Sequence, residues 1–230
     1  MKTAAVIVAA GKGSRMHSDI PKQYLTLCGM PVLCHSVRAF QKAGASKIVV
    51  VVAPGDVDYC REEILAPCGF TDIVLVEGGK ERHDSVYQGL LAAAGCEYVW
   101  IHDGARPLID QGTIGRTLDV AMTEGACVAA MPVKDTIKVA DDAGYVAATP
   151  ERAKLWQVQT PQTFSYELIC KAHQLRLDGM GDPTKITDDG MLVEQLLAKP
   201  VKLVEGSYRN LKITTEEDMK IAEALYDPAR

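Results

Sequence analysis

The feature that most restricts the fold of this chain is its regular alternation of short, unbroken apolar runs with longer amphipathic stretches. The apolar runs lie at residues 4–9, 48–53, 73–76, 98–101 and 127–133. A strand with one wet face alternates apolar and polar residues. These runs do not alternate and are rich in Val and Ile, which predicts strands covered on both faces, as in a parallel sheet. Helices are predicted between them. The first spans residues 31–42, with Pro31 at its start and Gly44 just past its end. Others cover about 57–65, 82–94 and 113–123. Strand–helix alternation at this spacing means βαβ units. The expected architecture is an α/β, Rossmann-like three-layer fold with a mostly parallel sheet. A chain of 230 residues suits one domain, 1–230, with enough core to need no disulfide or metal staple.

After Val133 the rhythm changes. Residues 134–152, KDTIKVADDAGYVAATPER, alternate in polarity around a DDAG turn. This predicts a β-hairpin that projects from the domain as an arm over 133–152. Ile137, Val139 and Val146 are too few to bury one another, so the arm is expected to find its partner in a homodimer. Helices near 166–177 and 188–197 follow, then a strand pair near 201–204 and 211–213. A last helix opens on Thr214-Thr215-Glu216-Glu217, a capping-box pattern with acid at the positive end.

Charge and composition exclude several classes. A net charge of −5 argues against nucleic acid as the main partner, which calls for a basic surplus. No apolar stretch approaches the roughly 20 residues of a membrane span. The opening MKTAAVIVAAG resembles a signal peptide only until Gly11-Lys12-Gly13 interrupts it, and it suits a first strand better. The seven cysteines are odd in number and form no CxxC. They read as free thiols in a reducing compartment, so the protein is expected to be cytoplasmic.

The first chemical signal follows the first strand, in Ala9-Ala10-Gly11-Lys12-Gly13-Ser14-Arg15-Met16. Ligands of an open α/β sheet bind beyond the carboxyl ends of its strands, and small residues there let backbone N–H groups approach phosphates. A dinucleotide fingerprint needs a third glycine where Met16 stands, and an acid after the second strand, which instead runs out in Ala53-Pro54-Gly55. An NAD-dependent oxidoreductase is therefore the disfavoured reading from another class. A P-loop is also absent. The remaining readings are a plain tight turn, or a phosphate-binding loop flanked by Arg15 and by the Lys22 of Pro21-Lys22-Gln23-Tyr24. Two cations against the single acid Asp19 suit a triphosphate better than a diphosphate bridge. Asp103 ends an apolar strand at the same edge, where a hard carboxylate beside a triphosphate suits Mg²⁺ or another divalent cation. His102 has no second His or Cys at zinc-site spacing and reads as structural.

Seven ordered blocks identify the chain as similar to the polyol-phosphate cytidylyltransferase family. The first is A-A-G-x-G-x-R-M followed by Pro21-Lys22-Gln23-Tyr24, and the next are Gly78-Gly79-Lys80-Glu81-Arg82-His83-Asp84-Ser85 and His102-Asp103-Gly104-Ala105-Arg106-Pro107. Asp135-Thr136-Ile137-Lys138, Gln159-Thr160-Pro161-Gln162, Thr187-Asp188-Asp189 and the 206–214 run complete the set. The resemblance implies transfer of CMP from CTP to a polyol phosphate. The 155–159 run and the Gly206-Ser207-Tyr208 turn look more like members acting on 2-C-methyl-D-erythritol 4-phosphate than like those acting on ribitol 5-phosphate.

The resemblance also implies roles. Arg15, Lys22 and Lys212 are the catalytic cations, and Asp103 is the metal carboxylate. Ala9, Ala10, Gly11, Gly13, Gly79 and Ser85 form the nucleotide site. Arg106, Thr136, Arg152 and Thr187 contact the polyol phosphate, with Thr136 and Arg152 serving the partner's site across a homodimer. Lys80 departs from the acid or small residue common at its position.

Overall fold

The computed structural model describes residues 1–11, 20–182 and 186–227. Strand β1, Thr3–Val8, lies centrally in a seven-stranded sheet. A two-residue hairpin, β2 (Thr26–Leu27) and β3 (Met30–Pro31), leads into helix α1, Val32–Lys42. Then come β4 (Lys47–Val52), β5 (Val74–Glu77), helix α3 (Arg82–Ala92) and β6 (Tyr98–Asp103). The helix expected at 57–65 is a single turn, α2 (Val57–Tyr59), widening into π-helical turns over Cys60–Leu65. The wider turns put Cys60, Ile64 and Leu65 on the buried side. Helix α4 (Gln111–Glu124) and strand β7 (Ala126–Pro132) complete this half.

The hairpin arm holds β8 (Val139–Ala140) and β9 (Val146–Ala148), an antiparallel pair with every residue exposed. Asp141 makes its turn, accepting the N–H groups of Ala143 and Tyr145 on Oδ1, while Gly144 takes the left-handed backbone at φ +85°. The chain returns as β10 (Trp156–Ser165), then α5 (Tyr166–Leu177), α6 (Asp189–Leu197), β11 (Lys202–Glu205) and α7 (Glu216–Leu225). The sheet order is β11-β7-β10-β6-β1-β4-β5. Every pairing in it is parallel except those of β10 with β6 and β7.

The even spacing of β1 residues explains the layers. Ala5 and Ile7 face a core with Leu33, Val37 and Phe40 of α1. Ala4 and Val6 face the opposite core, with Val86 and Leu90 of α3 and Ile169 of α5. Both faces are covered, which is why the run lacks alternation.

The expected strand pair is corrected. No strand forms at 211–213, and β11 pairs with β7 instead. The 206–213 segment is committed elsewhere: the Ile213 N–H donates to the Ala105 carbonyl at 2.9 Å, and Asn210 reaches across to β10. Conversely, β10 was not expected, because Gln159, Thr160, Pro161 and Gln162 break its apolar pattern. These polar residues are buried, and side-chain hydrogen bonds replace ladder bonds where the β10–β7 register shifts between Val158 and Gln162.

Candidate active site

The parallel strands β1, β4, β5 and β6 all end at one sheet edge, where the first three continue as Ala9-Ala10-Gly11, Ala53-Pro54 and Gly78-Gly79 and β6 closes on Asp103. A cavity of about 770 Å³ opens there. Its wall, among the described residues, includes those four segments together with Lys22, Arg82, Ser85 and Lys212. Residues from both ends of the sequence thus converge on the position that a doubly wound sheet reserves for ligands.

One side of this cavity is built from backbone. The Gly78 N–H donates to Val52 O and the Ala9 N–H to Val51 O, both at 2.7 Å, so the loops after β1 and β5 hang from β4. A Cβ on Gly78 would stand 2.6 Å from Ser85 Oγ and 2.8 Å from Ala10 Cβ, so glycine is required by close approach. On Gly79 it would meet Asp84 Cβ at 2.3 Å. Ser85 Oγ accepts the Gly79 N–H at 3.1 Å and donates to Glu81 O at 3.2 Å, which fixes the glycine pair against the first turn of α3. Glu81 and Asp84 cap that turn reciprocally. Gln23 is buried and donates Nε2 to Ala9 O at 2.7 Å and to Gly11 O at 3.3 Å, tying the loop after β1 to the short turn that presents Lys22.

The other side is charged. Asp103 meets Lys212 Nζ at 2.8 Å, Arg82 Nε at 3.6 Å and Arg106 Nε at 3.8 Å. Burial works to raise its carboxyl, but the charges of Arg82, Lys212 and Arg106 outweigh it and hold Asp103 well below the usual carboxylate range. Asp103 is therefore an anion at neutral pH. Arg82 spans to a second buried carboxylate, Asp189, with Nη1 at 2.8 Å from Oδ2. Arg106 donates Nη1 to Asn210 O at 2.7 Å. Asn210 in turn donates Nδ2 to Thr160 O at 2.7 Å, so the turn that carries Lys212 is pinned to β10 and to Arg106 together.

His102 is fully buried beside this cluster. Thr160 Oγ1 accepts the Asp103 N–H at 3.0 Å and donates to His102 Nδ1 at 3.0 Å. That leaves His102 Nε2 as the protonated nitrogen, donating to Arg106 O at 3.2 Å. Burial pushes its pKa down to about 4, so the ring is neutral, and both nitrogens are committed. It is a structural group, as its sequence context implied.

Of the residues singled out from sequence, Ala9, Ala10, Gly11, Lys22, Gly79, Ser85, Asp103 and Lys212 line one cavity. Arg106 stands behind Asp103. Arg15 and Gly13 lie outside the described residues. Thr136 and Arg152 are exposed at the arm, Arg152 donating to Lys134 O at 3.1 Å, and neither reaches the cavity of its own chain. Thr187 is exposed just ahead of α6 and also lies off the cavity wall. Sequence reasoning missed Arg82, Asp189, Gln23 and Asn210 as parts of the site. The available signal was their position inside the motif blocks, and above all a charged residue opening a helix directly after a Gly-Gly turn. A second cavity of about 360 Å³, bordered by Arg38, Ile109, Arg209 and Tyr226, touches the motif blocks at Pro107, Ser207 and Arg209 but contains none of the candidate site residues.

A sequence model of the 2-C-methyl-D-erythritol 4-phosphate cytidylyltransferase family matches residues 3–227. A protein of that name from Desulforamulus reducens is 51% identical over 96% of this chain and 94% of its own length. Another from Alkaliphilus oremlandii is 46% identical over 100% of this chain and 97% of its own. The crystal structure of a 4-diphosphocytidyl-2C-methyl-D-erythritol synthase from Anaerococcus prevotii is 33% identical and superposes with a TM-score of 0.84 over 97% of this chain and 95% of that one. With its parallel-edge cavity, glycine-shaped wall and cationic cluster around one carboxylate, the chain belongs to the 2-C-methyl-D-erythritol 4-phosphate cytidylyltransferase family.

Proposed function

We propose that this chain transfers CMP from CTP to 2-C-methyl-D-erythritol 4-phosphate, releasing pyrophosphate. The carrying observation is the Lys212–Asp103 pair at 2.8 Å, set in a cavity whose opposite wall is the Ala9–Gly11 loop and the Gly78-Gly79 turn. An oxygen of the substrate phosphomonoester attacks the α-phosphorus of CTP. A new P–O bond forms, the α–β bridging bond breaks, and its electron pair leaves with pyrophosphate. The second pKa of a phosphomonoester is about 6, so the nucleophile is already dianionic and needs no base. The neutral, fully committed His102 agrees with that chemistry.

Catalysis on this reading is charge neutralisation and placement. Lys22 and Lys212 neutralise the triphosphate, with Arg15 contributing from the loop after β1. The backbone of Ala9, Ala10, Gly11, Gly13 and Gly79, together with Ser85, receives the nucleotide. Arg106 and Thr187 receive the polyol phosphate. Asp103 is the residue that would hold Mg²⁺. No group of three His, Cys, Asp or Glu side chains suited to a metal comes together among the described residues, so the remaining ligands would be phosphate oxygens and water. A single carboxylate is the donor set Mg²⁺ takes beside phosphates, where it supplies Lewis-acid polarisation of the phosphoryl oxygens.

The arm supports a homodimer. Val139, Tyr145 and Val146 are exposed on it, and Trp156 and Val158 are exposed at its base. An isolated two-stranded hairpin with an apolar surface needs a partner. Thr136 and Arg152, remote from their own cavity, are then available to the partner's substrate. No helix among the described residues is long and apolar enough to cross a membrane, and the proposed compartment is the cytoplasm.

The test is pyrophosphate release with CTP and Mg²⁺, offered 2-C-methyl-D-erythritol 4-phosphate or ribitol 5-phosphate. Turnover of ribitol 5-phosphate alone would replace the substrate, and turnover of neither would remove the activity.

A further inference from the structure

Asp103 has to accept a divalent cation while three cations already face it, and Arg82 is the one whose second partner is an anion. Asp189, in the first turn of α6, is 1% exposed. Its backbone N–H and that of Gly190 both donate to Gln162 Oε1 at 3.0 Å, which fixes the carboxylate against β10. Gln162 Nε2 returns to Asp188 Oδ2 at 3.0 Å, so the whole helix start is locked. Burial works to raise the Asp189 carboxyl, but Arg82 and then His173, whose Nε2 lies 3.5 Å from Oδ1, hold it below its ordinary value. Asp189 is ionised, and it takes the shorter contact with Arg82, at 2.8 Å against 3.6 Å for Asp103.

The geometry points to Asp189 as a positioning residue of the nucleotidyl-transfer site: it anchors Arg82 away from full contact with Asp103 and keeps that carboxylate available to a divalent cation. This rests on the reading that the cavity binds a triphosphate with its metal. Asp103, Asp189, Arg82, Arg106 and Lys212 form a cluster with one surplus positive charge. Loss of the Asp189 charge leaves two, and frees Arg82 to close on Asp103. Extra positive charge repels a cation but attracts a tetra-anionic triphosphate, so the two ligands respond with opposite sign.

That sign difference is the test. Mn²⁺ binding is measured on the nucleotide-free protein by electron paramagnetic resonance of the unbound ion, and CTP binding by calorimetry in EDTA. Asp189→Asn is expected to weaken Mn²⁺ about tenfold and to leave metal-free CTP binding unchanged or tighter. Removing both charges, in Arg82→Met with Asp189→Leu, restores Mn²⁺ affinity to within about threefold of the unmodified protein. If Asp189→Asn does not fold, Arg82→Gln reads the same balance from the other side and must bind Mn²⁺ more tightly. Parallel weakening of Mn²⁺ and CTP, an unchanged Mn²⁺ affinity in Asp189→Asn, no rescue in the double variant, or weaker Mn²⁺ in Arg82→Gln overturns the proposal. Absence of CTP binding by the unmodified protein would instead overturn the functional reading, and the Mn²⁺ comparison still decides the role of Asp189.

Discussion

Asn210 lets the placement of Lys212 be tested apart from its charge. The side chain is wholly buried and donates Nδ2 to Thr160 O at 2.7 Å and to Gln159 Oε1 at 3.2 Å, while its own backbone carbonyl receives Arg106. Asn210→Ala removes both donors. Gln159 Oε1 retains the Ser207 N–H at 3.4 Å, but among the described residues no other side chain donates to Thr160 O. An orphaned buried acceptor costs about 1–3 kcal/mol and the weaker bond about another 0.5–1, giving roughly 2–4 kcal/mol of destabilisation. For a domain of this size that is a fall in Tm of about 4–16 °C, read by calorimetry. Lys212 sits two residues further on, so its Nζ loses its fixed approach to Asp103, and kcat is expected to fall about tenfold or more with little change in KM for the polyol phosphate. A Tm within 2 °C of the unmodified protein, or an unchanged kcat, would falsify the claim that this clamp sets the Lys212 position.

The cations and the arm give further predictions. Lys22→Ala and Lys212→Ala should each lower kcat about 10²-fold or more while the protein stays folded, and an unchanged rate removes that residue from catalysis. His102 has a folded pKa of about 4 against an ordinary 6.5, so its contribution to stability is present above pH 6.5 and is lost as pH falls toward 4. That gap amounts to about 3 kcal/mol, visible as a pH-dependent Tm that His102→Gln flattens; an equally steep profile in the variant refutes it. Val146→Glu, on the exposed arm, is expected to shift sedimentation toward monomer and lower activity at high dilution. A monomeric unmodified protein with full activity contradicts the dimer reading.

How legible the site was depended on whether a residue's role is local. Residues 4–9 and 48–53 read as buried strands because both neighbours in the sheet and both helical layers are apolar. β10 did not, since Gln159 and Gln162 in its middle serve as brackets for the 206–210 turn and for α6, a role visible only in three dimensions. Lys22, Asp103 and Lys212 were found through motif blocks, and the fold brings them to one cavity. Arg82 and Asp189 sit inside those same blocks, but a salt bridge across 107 positions leaves no spacing to read. Thr136 and Arg152 were named by resemblance, and one chain alone gives them nothing at the cavity to touch.

The pinning of Lys212 has a consequence for how the protein is made. The loop after β1 is synthesised first, while Lys212 arrives only after the last strand, β11, held there by Thr214 and Thr215 donating to Asp218 Oδ2. A chain still on the ribosome, or one cut before residue 212, can carry nearly the whole sheet and its two cores. It cannot balance Asp103 with its nearest cation. A product cut before residue 212 that keeps the sheet is therefore expected to turn CTP over about 10²-fold or more slowly, as Lys212→Ala does.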